Sequence, residues 1–343
     1  MSGDDASCAS FNRPPIIFCR RHNSRRPQRH PIEKTLTDLG RIVKEVQDGP
    51  IRFDAECVVW IQGNANWFPQ IRSQLAACPP QARPLVLHWF SEPLPPPRAS
   101  GLPRPRLNLK EVAKILLRDA RITDLYSNAA RLRSMVRKDL IDLLVVTTPA
   151  RQQFLAEQGI TAHFVPLGYE RSNHGRDLGL ERTRDVIFLG AIVPRRRKLL
   201  SRLQRDGVQL DQMGGWFDPA FWGQNRTRLL NQTKIFINIA RHPGELPGMR
   251  LILGMANKCL VVSEPIYEPG PYVPGKHFIA SSVNEMPDAI RYYLDHPEKR
   301  QVIADAGHRL VTETLTLERS VKRILTLVDE KTRQRAQSCK NKV

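Results

Sequence analysis

The sequence RHPGELPGMRLILGMANKCLVVSE, from Arg241 to Glu264, is the strongest indicator of fold class in this chain. It holds two Pro-Gly turn dipeptides, an apolar segment of helical length from Met249 to Met255, and a strand-like run from Cys259 to Val262. The backbone N–H groups of the first helical turn point out of the helix start, beside the carboxylate of Glu245. Such an arrangement can hold a phosphate through amides and a sugar hydroxyl through the carboxylate. The stretch therefore predicts a ligand-binding loop on a doubly wound α/β domain.

The composition is that of a globular protein with room for two domains. The chain has 343 residues, of which 41% are hydrophobic and 25% charged. It has no apolar run long enough to span a membrane and no secretory signal pattern at its start, so we expect a cytoplasmic protein. The six cysteines include no Cys-x-x-Cys pair and are expected to be reduced and mostly buried. The nine histidines are dispersed, so we expect no metal site and no metal cofactor.

The formal net charge is +19, and the basic residues are unevenly placed. They concentrate between Arg13 and Lys34 and again between Lys331 and Val343. The positive electrostatic field of these residues would attract nucleic acid, an anionic membrane face, or a phosphorylated or acidic substrate. Basic termini can also serve only to keep the chain in solution. The sequence shows no nucleic-acid recognition module, so nucleic acid is the partner that it favours least.

Strands and helices are predicted to alternate along the chain, which is typical of parallel sheets. Predicted strands lie at 15–19, 57–61, 84–90, 143–147, 163–166, 185–189, 235–239 and 259–262. Predicted helices cover 32–46, 68–77, 109–119, 129–138, 150–158, 198–206, 249–255, 284–294 and 297–312. A loop with six prolines runs from Pro93 to Pro105, and a polar connector follows Gly168-Tyr169. We therefore divide the chain into a disordered arm (1–12), an N-terminal domain (13–171), a C-terminal domain (172–325) and a basic tail (326–343).

Four segments carry a family resemblance. These are LLVVTTPARQQFLAEQGITAHFVPLGYE (143–170), DVIFLGAIVPRRRKLLSRLQRDG (185–207), KIFINIARHPGELPGMRLILGMANKCLVVSE (234–264) and IRYYLDHPEKRQVIADAGHRLV (290–311). They resemble GT-B glycosyltransferases of the group 1 superfamily, especially the spore-maturation-type branch, most strongly over residues 140–325. The resemblance implies two Rossmann-like doubly wound domains that face a central cleft, with an acceptor domain first and a donor domain second.

The resemblance also implies an activity. It is the transfer of a sugar, with retention, from a nucleotide-diphosphate sugar to an acceptor that the sequence does not identify. An anionic or lipid-linked acceptor fits the basic charge, as does peripheral contact with the anionic inner face of a membrane. The alternative is a catalytically degenerate GT-B protein that acts as a polyanion-binding or assembly factor. Leu253 favours this alternative, because it occupies the position of a second family carboxylate that typically contacts the donor ribose.

The resemblance assigns donor and phosphate binding to two groups of residues. Cationic side chains and helix-start amides can stabilise the charge that grows on a diphosphate leaving group. The alternative for the basic residues among them, Arg196, Arg197 and Lys198, is that they form a solvent-exposed helix start that binds no ligand. The assigned residues are Gly190, Arg196, Arg197 and Lys198 after one strand, and Gly248, Met249 and Arg250 after the next.

Three further side chains are candidates for contact with the sugar or for catalysis. Glu245 occupies the position of the first family carboxylate, and His242 in the same loop can bond a sugar hydroxyl. His88 lies near the end of a predicted strand, where we expect it to face the cleft, and it can serve as a base or bond a sugar hydroxyl. Each has a structural alternative: Glu245 as a helix cap, His242 as an exposed loop residue, and His88 as a buried, hydrogen-bonded histidine.

Overall fold

The protein contains two parallel β-sheets, each enclosed by helices. In the computed structural model the described residues are 14–20, 30–65, 67–104, 109–117, 125–213, 221–245 and 248–340. The expected disordered arm and the basic segment 21–29 lie outside these residues. Every strand pairing in both sheets is parallel, as the alternation of strands and helices predicted.

The first sheet has six strands in the order β2-β1-β3-β4-β5-β6. Its strands are β1 (Ile16–Cys19), β2 (Val43–Val46), β3 (Val58–Gln62), β4 (Leu85–Phe90), β5 (Leu143–Val146) and β6 (His163–Phe164). The helices of this half are α1 (Pro31–Asp38), α2 (Pro69–Ala77), α3 (Leu109–Leu117), α4 (Leu125–Arg137) and α5 (Pro149–Ala156). The inner strands β1, β3, β4 and β5 bury apolar side chains on both faces of the sheet.

The second sheet has five strands in the order β11-β10-β9-β7-β8. Its strands are β7 (Arg184–Leu189), β8 (Asp211–Met213), β9 (Thr233–Asn238), β10 (Leu260–Ser263) and β11 (Ile279–Ala280). The helices are α6 (Arg171–His174), α7 (Pro194–Arg205), α8 (Gly223–Asn231), α9 (Gly248–Ala256), α10 (Met286–Asp295), α11 (Pro297–Arg309) and α12 (Leu317–Lys340), with a π-helical turn at Leu310–Thr314. Buried side chains of α7, α10 and α11 pack on one face of this sheet, and those of α8 and α9 pack on the other.

The chain crosses between the two halves at two adjacent places. Tyr169 N–H donates to Leu315 O, and Leu317 N–H donates to Tyr169 O at 2.8 Å. Gly168 lies so close to the second crossing that a Cβ there would be 2.4 Å from the Cα of Leu317. Only a residue without a side chain fits this contact, so Gly168 allows the two crossings to touch.

After the second crossing the chain returns to the first sheet. The buried side chains Leu317, Val321, Ile324 and Val328 of α12 pack with β1, β3, β4 and β5. The expected basic tail from residue 326 is therefore wrong, because the described chain continues as a helix to Lys340. Its apolar residues recur at helical spacing and need the first sheet to cover them.

One predicted helix is also wrong. The chain from 32 to 46 forms the short helix α1 and then strand β2 rather than one long helix. Leu39 and Gly40 close the helix by hydrogen bonds to Thr35 O and Thr37 O, and Gly40 has a φ of 73°, which ends it. Val43 to Val46 then pair with β1 at the edge of the sheet.

The cysteines were predicted to be reduced and mostly buried. The structure agrees for three of the four cysteines that it describes as free. Cys19, Cys57 and Cys259 are free and buried, while Cys78 is free and half-buried. Burial raises the pKa of the Cys19 and Cys259 thiols to about 12, so both are protonated at neutral pH. Within the described part of the chain, no helix is long and apolar enough to cross a membrane.

Candidate functional site

The topology of the second sheet creates a crevice between β7 and β9. From β7 the chain moves to β8 on one side, whereas β9 lies on the other side, so the order of strands reverses at this point. Open α/β sheets bind their ligands at such a switch point, outside the carboxyl ends of the strands. The carboxyl end of β7 is Leu189, and β9 continues into Ile239 and Ala240.

Two arginine side chains lie at the bottom of this crevice, against the ends of β7 and β9. Arg250, on the first turn of α9, donates to Ile239 O at 2.8 Å and to Leu189 O at 2.7 Å. Arg196, on the first turn of α7, donates to Ile239 O at 2.9 Å and to Ala191 O at 3.1 Å. The site thus joins the ends of the two strands through two guanidinium groups.

The ring of Phe188 lies beneath both guanidinium groups. The Cζ atoms of Arg250 and Arg196 lie 4.6 and 5.7 Å from its centroid. Gly190 makes room for Arg250, because a Cβ at Gly190 would lie 2.8 Å from Arg250 Nη2. These contacts hold the two cations in fixed positions at the strand ends.

The crevice has an excess of positive charge. Burial, with a smaller contribution from the neighbouring charge of Arg241, lowers the pKa of Arg196 to about 10. Burial and then the adjacent Arg196 lower the pKa of Arg250 as well. Among the described residues, no carboxylate oxygen lies within 4.0 Å of a guanidinium nitrogen of Arg196 or Arg250. An anion bound in the crevice would therefore relieve repulsion between the cations.

The neighbouring basic residues of α7 have other surroundings. Arg195 forms a two-bond ion pair with Glu264, and its Nη1 atom also donates to Ala240 O at 2.9 Å. Glu264 in turn accepts the Ala240 N–H at 3.0 Å, so this pair fixes the backbone after β9. Arg197, at the end of the first turn of the helix, and Lys198, the next residue, are exposed. The helix begins at Pro194, earlier than the predicted residue 198.

The loop before α9 brings Glu245 to the opposite domain. Glu245 Oε1 lies 3.5 Å from Nη2 of Arg151, which belongs to the first turn of α5. Arg151 is buried, and its Nη1 atom donates to Thr147 Oγ1 at 2.5 Å. An arginine at a helix start is unfavourable beside the helix dipole, and the carboxylate of Glu245 compensates for it. Sequence reasoning missed Arg151, although its position after the end of β5 was a usable signal.

A cleft between the two domains surrounds this ion pair. The empty space there, including space that is open to solvent, is about 410 Å³. One wall comes from the proline-rich loop through Leu94, Pro95, Pro96, Pro97 and Leu102, and the other from Thr148, Ala150, Arg151, His242, Pro243, Gly244, Glu245 and Tyr267. His242 and Glu245 therefore both line the cleft. Tyr267 also joins the domains, because its hydroxyl lies 2.9 Å from Gln153 Oε1.

A second carboxyl group lies near the ion pair. Glu92 follows β4, and burial raises its pKa, while the charge of Arg151 lowers it and that of Glu245 raises it. Arg151 thus interacts with two carboxyl groups from different domains.

The expectation that His88 faces the cleft is wrong. His88 lies within β4 and is fully buried, with its Nε2 atom 3.0 Å from Gly63 O. Burial lowers its pKa to about 4, so the ring is neutral at pH 7. Of the two interpretations left open by the sequence, the structure therefore shows the buried, hydrogen-bonded histidine.

The remaining predicted residues lie at the start of α9. Gly248 and Met249 form its first turn with Arg250, and Met249 is 38% exposed. Leu253 faces the hydrophobic core beneath the helix, where it packs with residues of β9 and β10. No group of three His, Cys, Asp or Glu side chains in the described ranges is placed to hold a metal ion.

Comparison with known proteins identifies the fold and the second domain. Residues 195–326 match the family model described as glycosyl transferase-like. This chain has the GT-B fold. The spore-maturation-type branch stays a prediction. No curated protein matches the sequence of this GT-B protein.

Solved structures share its fold at low identity. Sucrose-phosphate synthase from Thermosynechococcus elongatus has a TM-score of 0.58 and 13% identity, with 93% of this chain and 99% of that chain covered. Anabaena HepE in complex with UDP-glucose has a TM-score of 0.54 and 10% identity, with 92% and 99% covered. A mutant of S. aureus TarM in complex with Fondaparinux, alpha-GlcNAc-glycerol and UDP has a TM-score of 0.58 and 12% identity, with 86% of this chain covered. The GT-B protein spans 58% of the length of that TarM chain.

Proposed function

We propose that this GT-B protein transfers a hexosyl group, with retention, from a nucleotide-diphosphate sugar to an acceptor. The observation that carries the proposal is the pair of guanidinium groups of Arg196 and Arg250 at the switch point between β7 and β9. A diphosphate matches them in charge. Two of the structures that share the fold hold UDP or UDP-glucose, which supports the same class of donor.

The chemistry that this site can supply is electrostatic. As the bond to the sugar breaks, negative charge grows on the diphosphate, and fixed cations stabilise that charge without reorganising. The amides at the start of α9 add partial positive charge on the same side through Gly248 and Met249. Arg197 and Lys198, which are exposed near the start of α7, are the remaining proposed phosphate contacts. No metal cofactor is included in this proposal.

Sugar recognition is proposed for the loop that faces the cleft. The Glu245 carboxylate can accept hydrogen bonds from sugar hydroxyls, and Arg151 fixes its position from the other domain. His242 lines the same cleft and can bond a further hydroxyl. Retention is proposed from the superfamily resemblance, and it agrees with the burial of His88, the histidine expected to serve as a base.

Ligand-observed NMR with a panel of UDP- and GDP-sugars tests this proposal. We expect saturation transfer to the protons of both the nucleotide and the sugar for at least one donor. Glu245→Gln should weaken binding of that donor more than binding of the free nucleotide, whereas the exposed Glu298→Gln is the matched control. If no member of the panel binds, the proposed function is refuted.

A catalytically degenerate, polyanion-binding or assembly protein is the second candidate. The burial of Leu253 favours it, because the ribose-contacting carboxylate that the resemblance implies has no counterpart at that position. This candidate predicts retention on a heparin column together with no response to any nucleotide sugar. Binding of a nucleotide sugar at Glu245 would exclude it.

A further inference from the structure

The backbone that follows β9 is held by side chains at two consecutive residues. Ile239 O accepts hydrogen bonds from both arginines at the bottom of the crevice, at 2.9 and 2.8 Å. Ala240 O accepts from Arg195 Nη1 at 2.9 Å, and Ala240 N–H donates to Glu264 Oε2 at 3.0 Å. The next residue, Arg241, is therefore attached to a backbone that is fixed beside the crevice.

The side chain of Arg241 is exposed and has no ion-pair partner in the described part of the chain. The two glutamates of the stretch that begins at this residue, Glu245 and Glu264, pair with Arg151 and Arg195 instead. Nor does Arg241 donate a side-chain hydrogen bond to another described residue. Its planar guanidinium group is therefore available to a ligand.

The two arginines at the bottom of the crevice are less available. Arg196 donates through Nε and Nη1 to backbone carbonyl oxygens, and Arg250 donates through Nη1 and Nη2. They supply positive charge and their remaining N–H groups to an anion. Arg241 can in addition present two adjacent nitrogens of one guanidinium edge to the same anion.

The charge of Arg241 acts on groups of both domains. After burial, it is the main cause that lowers the pKa of Arg196 to about 10. In the N-terminal domain, burial raises the pKa of Glu92, the charge of Arg151 lowers it, that of Glu245 raises it and that of Arg241 lowers it. Coulomb interactions weaken with distance. These effects, together with the place of Arg241 in the chain after β9 and before Glu245, put it between the bottom of the crevice and the cleft.

We infer that Arg241 binds the phosphate group to which the donor sugar is attached, an inference that rests on the proposed function. In that proposal the diphosphate lies on Arg196 and Arg250, and the sugar lies at Glu245. The phosphate that carries the sugar then lies between them, on the side where Arg241 is. A guanidinium group binds two phosphate oxygens through parallel N–H bonds. Arg241 thus favours a nucleoside diphosphate over the monophosphate.

Isothermal titration of UDP, GDP and their monophosphates at about 0.15 M salt, which screens general attraction, tests this inference. We expect Arg241→Met to bind the diphosphate at least about tenfold more weakly than the unchanged chain, and the monophosphate equally well. Arg241→Lys should recover part of the lost affinity, because lysine keeps the charge without the planar fork. The control Arg205→Met removes an exposed arginine at the other end of α7 and should bind like the unchanged chain.

Phosphorus NMR of the bound diphosphate gives a second measurement. Arg241→Met should change the signal of the terminal phosphorus more than that of the phosphorus next to the ribose. Because the Arg241 side chain is exposed, thermal unfolding of Arg241→Met should match that of the unchanged chain.

Three results would overturn the inference while the proposed function stands. The first is equal affinity of Arg241→Met and the unchanged chain for the diphosphate. The second is an equal loss of affinity for the diphosphate and the monophosphate. The third is an equal loss in Arg205→Met, since the effect would then be one of net charge. If the unchanged chain binds neither diphosphate, the proposed function is refuted and the inference with it.

Discussion

Gly190→Ala is expected to disrupt the floor of the crevice through one added methyl group. Gly190 has a φ of 143°, a conformation that alanine adopts only with strain. The new Cβ would lie 2.8 Å from Arg250 Nη2. The guanidinium is buried and bonded to Leu189 O and Ile239 O, so it cannot move aside without losing at least one of these bonds.

The expected size of the effect is the sum of these two costs. Backbone strain of this kind costs about 1–3 kcal/mol, and loss of a hydrogen bond by a buried charged group costs about 1.5–3 kcal/mol. We therefore expect the free energy of unfolding of Gly190→Ala to fall by about 2.5–6 kcal/mol. Affinity for UDP should fall by more than about tenfold, because the displaced cation no longer faces the diphosphate.

Urea denaturation followed by circular dichroism measures the stability, and calorimetric titration measures the affinity for UDP. Gly179→Ala is the matched control, since Gly179 has a φ of 64° and no atom lies within 4 Å of the position that a Cβ would occupy there. It should cost only about 1 kcal/mol and leave UDP binding unchanged. If both variants lose the same stability and bind UDP equally, our account of the Gly190–Arg250 contact is refuted.

Three further substitutions test the buried parts of the structure. Because burial lowers the pKa of His88 to about 4, the unfolded chain takes up a proton near pH 6.5 before the folded chain does, so stability should fall by up to about 3 kcal/mol from pH 7 to pH 4. His88→Gln should flatten this part of the pH profile in urea denaturation, and an unaltered slope would count against the assignment. Leu253→Glu should lower the free energy of unfolding by about 2–4 kcal/mol rather than improve nucleotide binding, because it buries an unpaired carboxyl group; tighter UDP binding would contradict this. Ile324→Ala should cost about 2–5 kcal/mol in thermal or urea unfolding because α12 covers the first sheet, and a loss below about 0.5 kcal/mol would show that the helix does not belong there.

The predictable parts of the fold are those in which the spacing of apolar residues in the sequence matches the helix or strand that forms there. The parallel strands at 143–146, 184–189 and 260–263 are short apolar runs that end at turn residues, and this pattern is hard to mistake. The segment 32–46 was wrongly predicted as one helix because its apolar residues follow helical spacing on both sides of Gly40. The glycine ends the helix, and pairing with the neighbouring strand β1 then makes Val43 to Val46 a strand.

Helix α12 was missed although its signal is present in the sequence. Leu317, Val321, Ile324 and Val328 recur every three or four residues, but the basic composition nearby suggested a tail. The partner of this helix is the first sheet, more than 150 residues earlier in the sequence. Sequence spacing could predict the helix, whereas only the fold shows which surface it covers.

The candidate site was predictable in its local parts and not in its interdomain parts. Glu245, Arg196 and Arg250 follow strand ends of one domain, so the rule for open α/β sheets places them together. Arg151 reaches Glu245 from the other domain, and no spacing in the sequence encodes that approach. His88 was misplaced because a predicted strand end does not tell which face of the sheet a side chain occupies.

The proposed function depends above all on binding of a nucleoside diphosphate by Arg196 and Arg250 at the switch point of the second sheet. Isothermal titration of UDP and GDP into the unchanged chain, Arg196→Met and the control Arg205→Met measures this binding. Arg205 lies exposed at the other end of α7, so its removal changes the net charge equally without altering the crevice. We predict binding to the unchanged chain and to the control, with at least about tenfold weaker binding to Arg196→Met. Absence of binding to the unchanged chain, or equal affinity of all three proteins, would contradict the assignment of this crevice as the diphosphate site.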